Sequence, residues 1–186
     1  MAQRLGGADT RLVVLRGPSG SGKSTAAKAA RAAAGRGIAL VEQDYLRRHL
    51  LREKEGEGQV NESLIDRVVR HCLDNGYHVL LEGILWSERY GGMLDRLHAD
   101  HAGVTRAIYL DVDLDETTRR HADRPQAVEF TVEDMRAWYT GADPLGWACE
   151  TVLPQALSLD DTVGVLVQAL TGAQPRTACV RSADDV

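Results

Sequence analysis

Two glycines, a lysine and a serine at one fixed spacing give this chain its plainest chemistry. Gly17-Pro-Ser-Gly-Ser-Gly22-Lys23-Ser24 satisfies the pattern G-x-x-x-x-G-K-S, and Thr25 follows it. Glycines let the backbone turn tightly enough for successive amide N–H groups to face a phosphate, and a helix opening at Lys23 adds the positive end of its dipole. Lys23 is then placed to bridge the β- and γ-phosphates of a nucleoside triphosphate, and the Ser24 hydroxyl to ligate Mg²⁺. Gly17, Pro18, Ser19, Gly20, Ser21, Gly22, Lys23, Ser24 and Thr25 are the expected phosphate cradle.

Moving that phosphate to a hydroxyl needs a carboxylate to orient the acceptor and take its proton, and cations to neutralise the group in transit. Asp44, at the end of GIALVEQD, is the candidate base, because ligands of open α/β sheets bind beyond the carboxyl ends of the strands. Its competing role is an N-cap for the helix expected over YLRRHLL. Alternation along the strand is expected to point Glu42 and Asp44 the same way. Glu82 ends the run YHVLLE and is a candidate for the metal, through water, or for orienting the acceptor; otherwise it is a buried acid satisfied by backbone donors and Lys23. Arg119, Arg120 and Arg124 form a cation cluster before Pro125, with Arg120 and Arg124 on one helical face, suited to stabilise charge on a moving phosphoryl group. Trp138 and Tyr139 are candidates for an acceptor pocket that Tyr45, Trp86 and Arg89 could join.

The elements that must carry these residues alternate along the chain. Short apolar runs at Arg11 to Leu15, in GIALVEQD, at Tyr77 to Leu85 and at Val104 to Val112 read as strands buried on both faces, and ETVLP as a weaker last one. Between them lie helical stretches: Lys23 to Ala34; NESLIDRVVRHCLDNG, with Asn61 as its cap and Leu64, Ile65, Val68, Val69, Cys72 and Leu73 on one face; RYGGMLDRLHADH, broken by its glycines; DLDETTRRHADR; TVEDMRAWYTG; and LDDTVGVLVQALTG. Such alternation predicts a mostly parallel sheet with helices on both faces.

Composition narrows the partners. The 186 residues are 44% hydrophobic and 26% charged, enough for one domain, expected over residues 1–172 with a mobile tail at 173–186. A net charge of -5 argues against nucleic acid or an anionic membrane as the partner. Cys72, Cys149 and Cys179 make no C-x-x-C pair and the start of the chain has no apolar leader, so a reducing cytoplasm is the expected setting.

GPSGSGKST, QDYLRR, LLEGIL and TRRHADR together resemble the small P-loop kinases, in particular the group of chloramphenicol phosphotransferase, zeta toxins and the kinase half of polynucleotide kinases, within the AAA-type P-loop NTPases. The resemblance covers about the first 150 residues in element order. It implies a three-layer fold with strand order 2-3-1-4-5, ATP with Mg²⁺, and transfer to a hydroxyl. It also implies Asp44 as base, Arg47 at the acceptor, and a small lid over about residues 119–146 bearing Arg120 and Arg124, with Arg120 reaching the nucleotide. No second domain for a toxin pairing is recognisable, and the chain lacks the basic, aromatic-interleaved strip that a polynucleotide acceptor needs. A small molecule is the favoured acceptor: an antibiotic, a nucleoside-like compound, a sugar or another metabolite. The competing readings are an NTPase or nucleotide switch, which would want a water-positioning residue and a partner-facing segment, and a polynucleotide 5′-hydroxyl kinase.

Overall fold

The computed structural model describes residues 4–54, 60–122, 131–139 and 141–172. Its strands are β1 (Arg11–Arg16), β2 (Ile38–Glu42), β3 (His78–Glu82), β4 (Val104–Asp111) and β5 (Glu150–Pro154), and its helices are α1 (Lys23–Ala34), α2 (Val60–Asp74), α3 (Ser87–Asp100), α4 (Leu114–Ala122), α5 (Val132–Trp138) and α6 (Leu159–Thr171). All four strand pairings are parallel, in the order β2-β3-β1-β4-β5. The order is the one the resemblance implies.

Successive side chains of a strand point to opposite faces, and β1 uses both. Leu12 and Val14 join the core beneath Ile65, Val69 and Leu73 of α2 and Tyr90, Met93, Leu94 and Leu97 of α3. Val13 and Leu15 join the opposite core with Ala26, Ala27 and Ala30 of α1 and Leu166 and Leu170 of α6. Two apolar layers therefore sandwich the central strand, and every carboxyl end of the sheet opens on one edge.

Local readings needed five corrections. The glycine pair Gly91-Gly92 does not break α3, because the four core residues just named hold the turns on either side of it in place. Asn61 does not cap α2: it lies inside the helix, fully buried, and its Nδ2 donates to Tyr90 Oη (3.0 Å). Residue Tyr77 precedes β3 instead of opening it, while β1 runs one residue further than its apolar stretch, to Arg16. Finally β2 stops at Glu42 and the chain turns helical at Gln43, so Glu42 and Asp44 do not alternate along one strand.

Of the cysteines, Cys72 and Cys149 are free thiols, and Cys179 lies outside the described residues. Among the described residues no helix is long and apolar enough to cross a membrane. The tail at 173–186 and much of the expected lid, residues 123–130 and 140, fall outside the described residues.

Candidate active site

The phosphate loop leaves the carboxyl end of β1 and enters α1 through Gly22, whose backbone is left-handed (φ 98°) and offers no capping side chain. Alone among the described α-helices, α1 has no acidic residue in its first turn. By contrast α5 and α6 begin with Thr131 and Ser158 bonded back onto their own first amides. An uncapped helix start with no acid of its own in the first turn leaves its amides and dipole for an external anion. Glycine is required where neighbours crowd in: a Cβ at Gly17 would meet Leu110 O at 2.7 Å, and one at Gly20 would meet Thr117 O of α4 at 2.9 Å. The second contact also brings α4 and Met135 of α5 directly onto the loop.

Lys23 is nearly buried, and its Nζ donates to Pro18 O (2.8 Å) and Ser21 Oγ (3.4 Å) across the mouth of the loop. Ser24 Oγ donates to Glu82 Oε1 (2.9 Å), which joins the end of β3 to the start of α1. Burial pushes the Glu82 carboxyl above its usual range, Lys23 and the Ser24 bond pull it back, and Glu42 and Asp44 push it further up. Glu82 thus sits among a cation, a hydroxyl and two more acids. In the register of the sheet Glu42 and Glu82 are partners, and Glu42 is balanced by Lys28 Nζ at 3.0 Å.

Asp44 lies just past β2 in helical conformation and makes no cap bond; its carboxylate, 54% exposed, is held by Arg47 Nη2 at 2.8 Å. The N-cap reading of Asp44 is therefore not realised. Residues Tyr45–Leu51 continue as a π-helical segment, a rare winding found disproportionately at functional sites. Its Tyr45 ring is exposed against His49, with centroids 5.6 Å apart.

The expected cations and aromatics are only partly on view. Arg119 of α4 is exposed and forked onto Glu116 (both bonds 2.8 Å). Arg120 lies on the same helix, two turns below which Asp113 caps the chain, and Arg124 lies outside the described residues. Tyr139 ends α5, and burial, with Asp111 and Asp113, raises its phenol. It stands by the carboxyl end of β4, three strands from the β2 edge where Asp44 is found, so Asp44, Arg47 and Glu82 come together without it. Arg89 lies over the Tyr90 ring at 5.2 Å. On the other side of the loop, a cleft of about 360 Å³ runs from Ser21, Gly22 and Thr25 to Pro154, Gln155 and Leu157.

The sequence reading missed Arg16, Ser87 and Asp143, which meet behind the loop. A charged residue wedged between a doubly buried apolar run and the first glycine was the available signal for Arg16; nothing local marks the other two.

A family model described as an AAA domain matches residues 12–142. This chain belongs to the AAA domain family. No curated protein matches it in sequence. Its fold is shared with a gluconokinase from Sinorhizobium meliloti (19% identity, TM-score 0.62, covering 91% of this chain and 94% of that one). It is shared equally with the Mycobacterium tuberculosis APS kinase CysC, solved in complex with AMPPNP and APS (21%, TM-score 0.67, 90% and 98%). A third is a sugar kinase from Janibacter (19%, TM-score 0.60, 87% and 94%). Within this AAA domain the matched span runs from β1 through the phosphate loop, Asp44 and Glu82 to the segment after α5.

Proposed function

We propose that this AAA-domain protein is an ATP-dependent phosphotransferase that moves the γ-phosphate to a hydroxyl of a small molecule. What supports the reading most is Asp44: an exposed carboxylate at the carboxyl edge of the sheet, released from capping, close enough to Glu82 beside Lys23 to influence its proton. A hydrolase or switch would want a water-positioning residue and a partner-facing segment, whereas an exposed acid paired to an arginine at the open edge of the sheet suits an incoming hydroxyl and its proton. The kinases that share the fold point the same way.

In this reading Asp44 orients the acceptor hydroxyl for in-line attack and receives its proton, Arg47 holds Asp44 and meets the acceptor, and Lys23 with Arg120 and Arg124 balances charge on the transferring group. Ser24 and, through water, Glu82 are oxygen donors suited to a hard cation, and their 2.9 Å contact lies at the loop mouth. Mg²⁺ held by these residues would supply charge neutralisation for the bound phosphates. The cleft between Thr25 and Gln155 has the size and the mixed apolar lining for the adenine base.

The test is an ADP-release screen with ATP and Mg²⁺ against nucleosides, sugars, aminoglycosides, phenicols and a 5′-hydroxyl oligonucleotide, run beside Asp44→Asn. A compound that raises ADP release only with Asp44 intact, and gains one phosphate by mass, identifies the acceptor class. Hydrolysis that ignores every acceptor and persists in Asp44→Asn would overturn the reading in favour of a switch.

A further inference from the structure

The last residue of β1 is a charge where both faces of the sheet are covered. Arg16 is fully buried and stands immediately before Gly17. Its Nε donates to Leu85 O (2.9 Å), its Nη1 to Asp143 O (2.7 Å) and its Nη2 to Asp143 Oδ2 (2.6 Å). Glu150 Oε1 is 3.7 Å from Nη1, and the guanidinium lies 5.7 Å from the Tyr109 ring centroid. The Asp143 carboxylate is shared in turn: the Ser87 amide donates to Oδ2 (2.8 Å) and the Ser87 hydroxyl to Oδ1, while the Asp143 amide donates to Tyr109 Oη (3.1 Å).

Three segments far apart in sequence are thereby locked together. They are the root of the phosphate loop, residues 84–87 leading from β3 into the first residue of α3, and residues 141–147 after α5. Leu85 is held in the left-handed region (φ 46°), a conformation that residues with a side chain seldom adopt. Between the segments Gly17 and Pro18 face Ile84, Trp86 and Gly141 across a narrow gap. Apolar residues would join these pieces without burying charge, and buried ion pairs are weak sources of net stability. What the guanidinium adds is direction, since its planar fork fixes angles as well as distances.

We propose that Arg16 and Asp143 form a positioning tether through which nucleotide occupancy of the phosphate loop sets the two segments that face the root of the loop, 84–87 and 141–147. The proposal rests on the phosphotransferase reading above. It makes segments 84–87 and 141–147, which in that reading would flank the acceptor, dependents of the loop: a shift at Gly17 reaches Leu85 O and the Asp143 carboxylate through one rigid group.

Amide hydrogen exchange of the full chain with and without Mg²⁺ and AMPPNP tests it before any acceptor is known. In the wild type the probe should slow exchange at residues 17–25 and also, by about fivefold or more, the lower end of ordinary coupling between sites, at 84–87 and 141–147. Replacing Asp143 alone strands a buried cation and endangers folding. The variant to use is therefore the charge-free combination Arg16→Met, Asp143→Asn and Glu150→Gln. It should keep protection at residues 17–25 and lose it at the other two segments. Should that chain not fold, Arg16→Lys, which keeps the charge but not the fork, should give the same loss. Undiminished protection at 84–87 and 141–147 in whichever variant folds would overturn the tether. So would a wild type protected at 17–25 alone, which leaves the kinase reading intact; no protection anywhere would sink both.

Discussion

The two halves of the candidate site are built in opposite ways. The phosphate side is one contiguous stretch, Gly17 to Thr25, that needs only a strand before it and a helix after it. In the proposed reading the acceptor side would be assembled from the end of β2 with residues 84–87 and 141–147, segments that are held by side chains whose partners lie up to 127 positions away. A contiguous cradle is suited to phosphate whatever the rest of the fold carries, since backbone amides recognise phosphate whatever the surrounding side chains. A discontinuous wall can be rebuilt piece by piece around one loop, and specificity for the acceptor is therefore expected to reside there.

Substitutions on the two sides should separate in kind. The largest effect is expected on the phosphate side: Lys23→Ala removes the charge nearest the loop mouth and should lower kcat/KM for ATP about 10³-fold, the upper range for loss of one preorganised donor. It should also weaken nucleotide binding, measured by titration with a fluorescent ATP analogue. Full ATP affinity in Lys23→Ala would mean the lysine serves only its internal acceptors Pro18 and Ser21.

Asp44→Asn should leave ATP binding nearly unchanged and reduce acceptor phosphorylation about 10²-fold, the lower range for a general base. The lower range is expected because phosphoryl transfer passes through a loose transition state in which the attacking hydroxyl has given up little of its proton. A parallel fall in ATP affinity would erase the contrast between the two sides.

The same contrast governs how much could be read from sequence. The buried strands were legible because parallel strands under two layers of helix must be apolar throughout, and the loop because its chemistry is local. Strand order was implied by family resemblance, not by any run of residues. The place of Asp44 just past the second strand was legible, but its conformation was not: the apolar pattern ends at Val41, and no period tells whether the polar residues after it extend the strand or start a π-helical turn. The glycine pair in α3 reads as a break until Tyr90 and Met93 are seen fully buried on either side of it. The pairing of Arg16 with Asp143 has no spacing rule at all, because only the folded topology brings β1 against the chain that follows α5.

The smallest effect belongs to Glu82, which stands where the two sides meet. As a water-mediated metal partner, its replacement by Gln should weaken Mg²⁺-dependent turnover about tenfold, as loss of an outer-shell ligand does. Stability should move the other way. Burial raises the Glu82 carboxyl in the folded protein, so the folded chain holds that proton more tightly than the unfolded chain does. Wherever the folded state binds more protons, stability falls as pH rises. The wild type therefore carries a penalty that is absent at acid pH, sets in as pH climbs from the ordinary carboxylate value to the raised one, and is complete above both. Gln keeps the shape and an acceptor for the Ser24 hydroxyl without titrating. The Tm of Glu82→Gln should thus match or trail the wild type at low pH and exceed it near neutrality, in scans without nucleotide or Mg²⁺. A Tm difference that stays flat across that window would mean Lys23 and Ser24 fully offset the burial, and that the acid at the junction is kept for structure as much as for the metal.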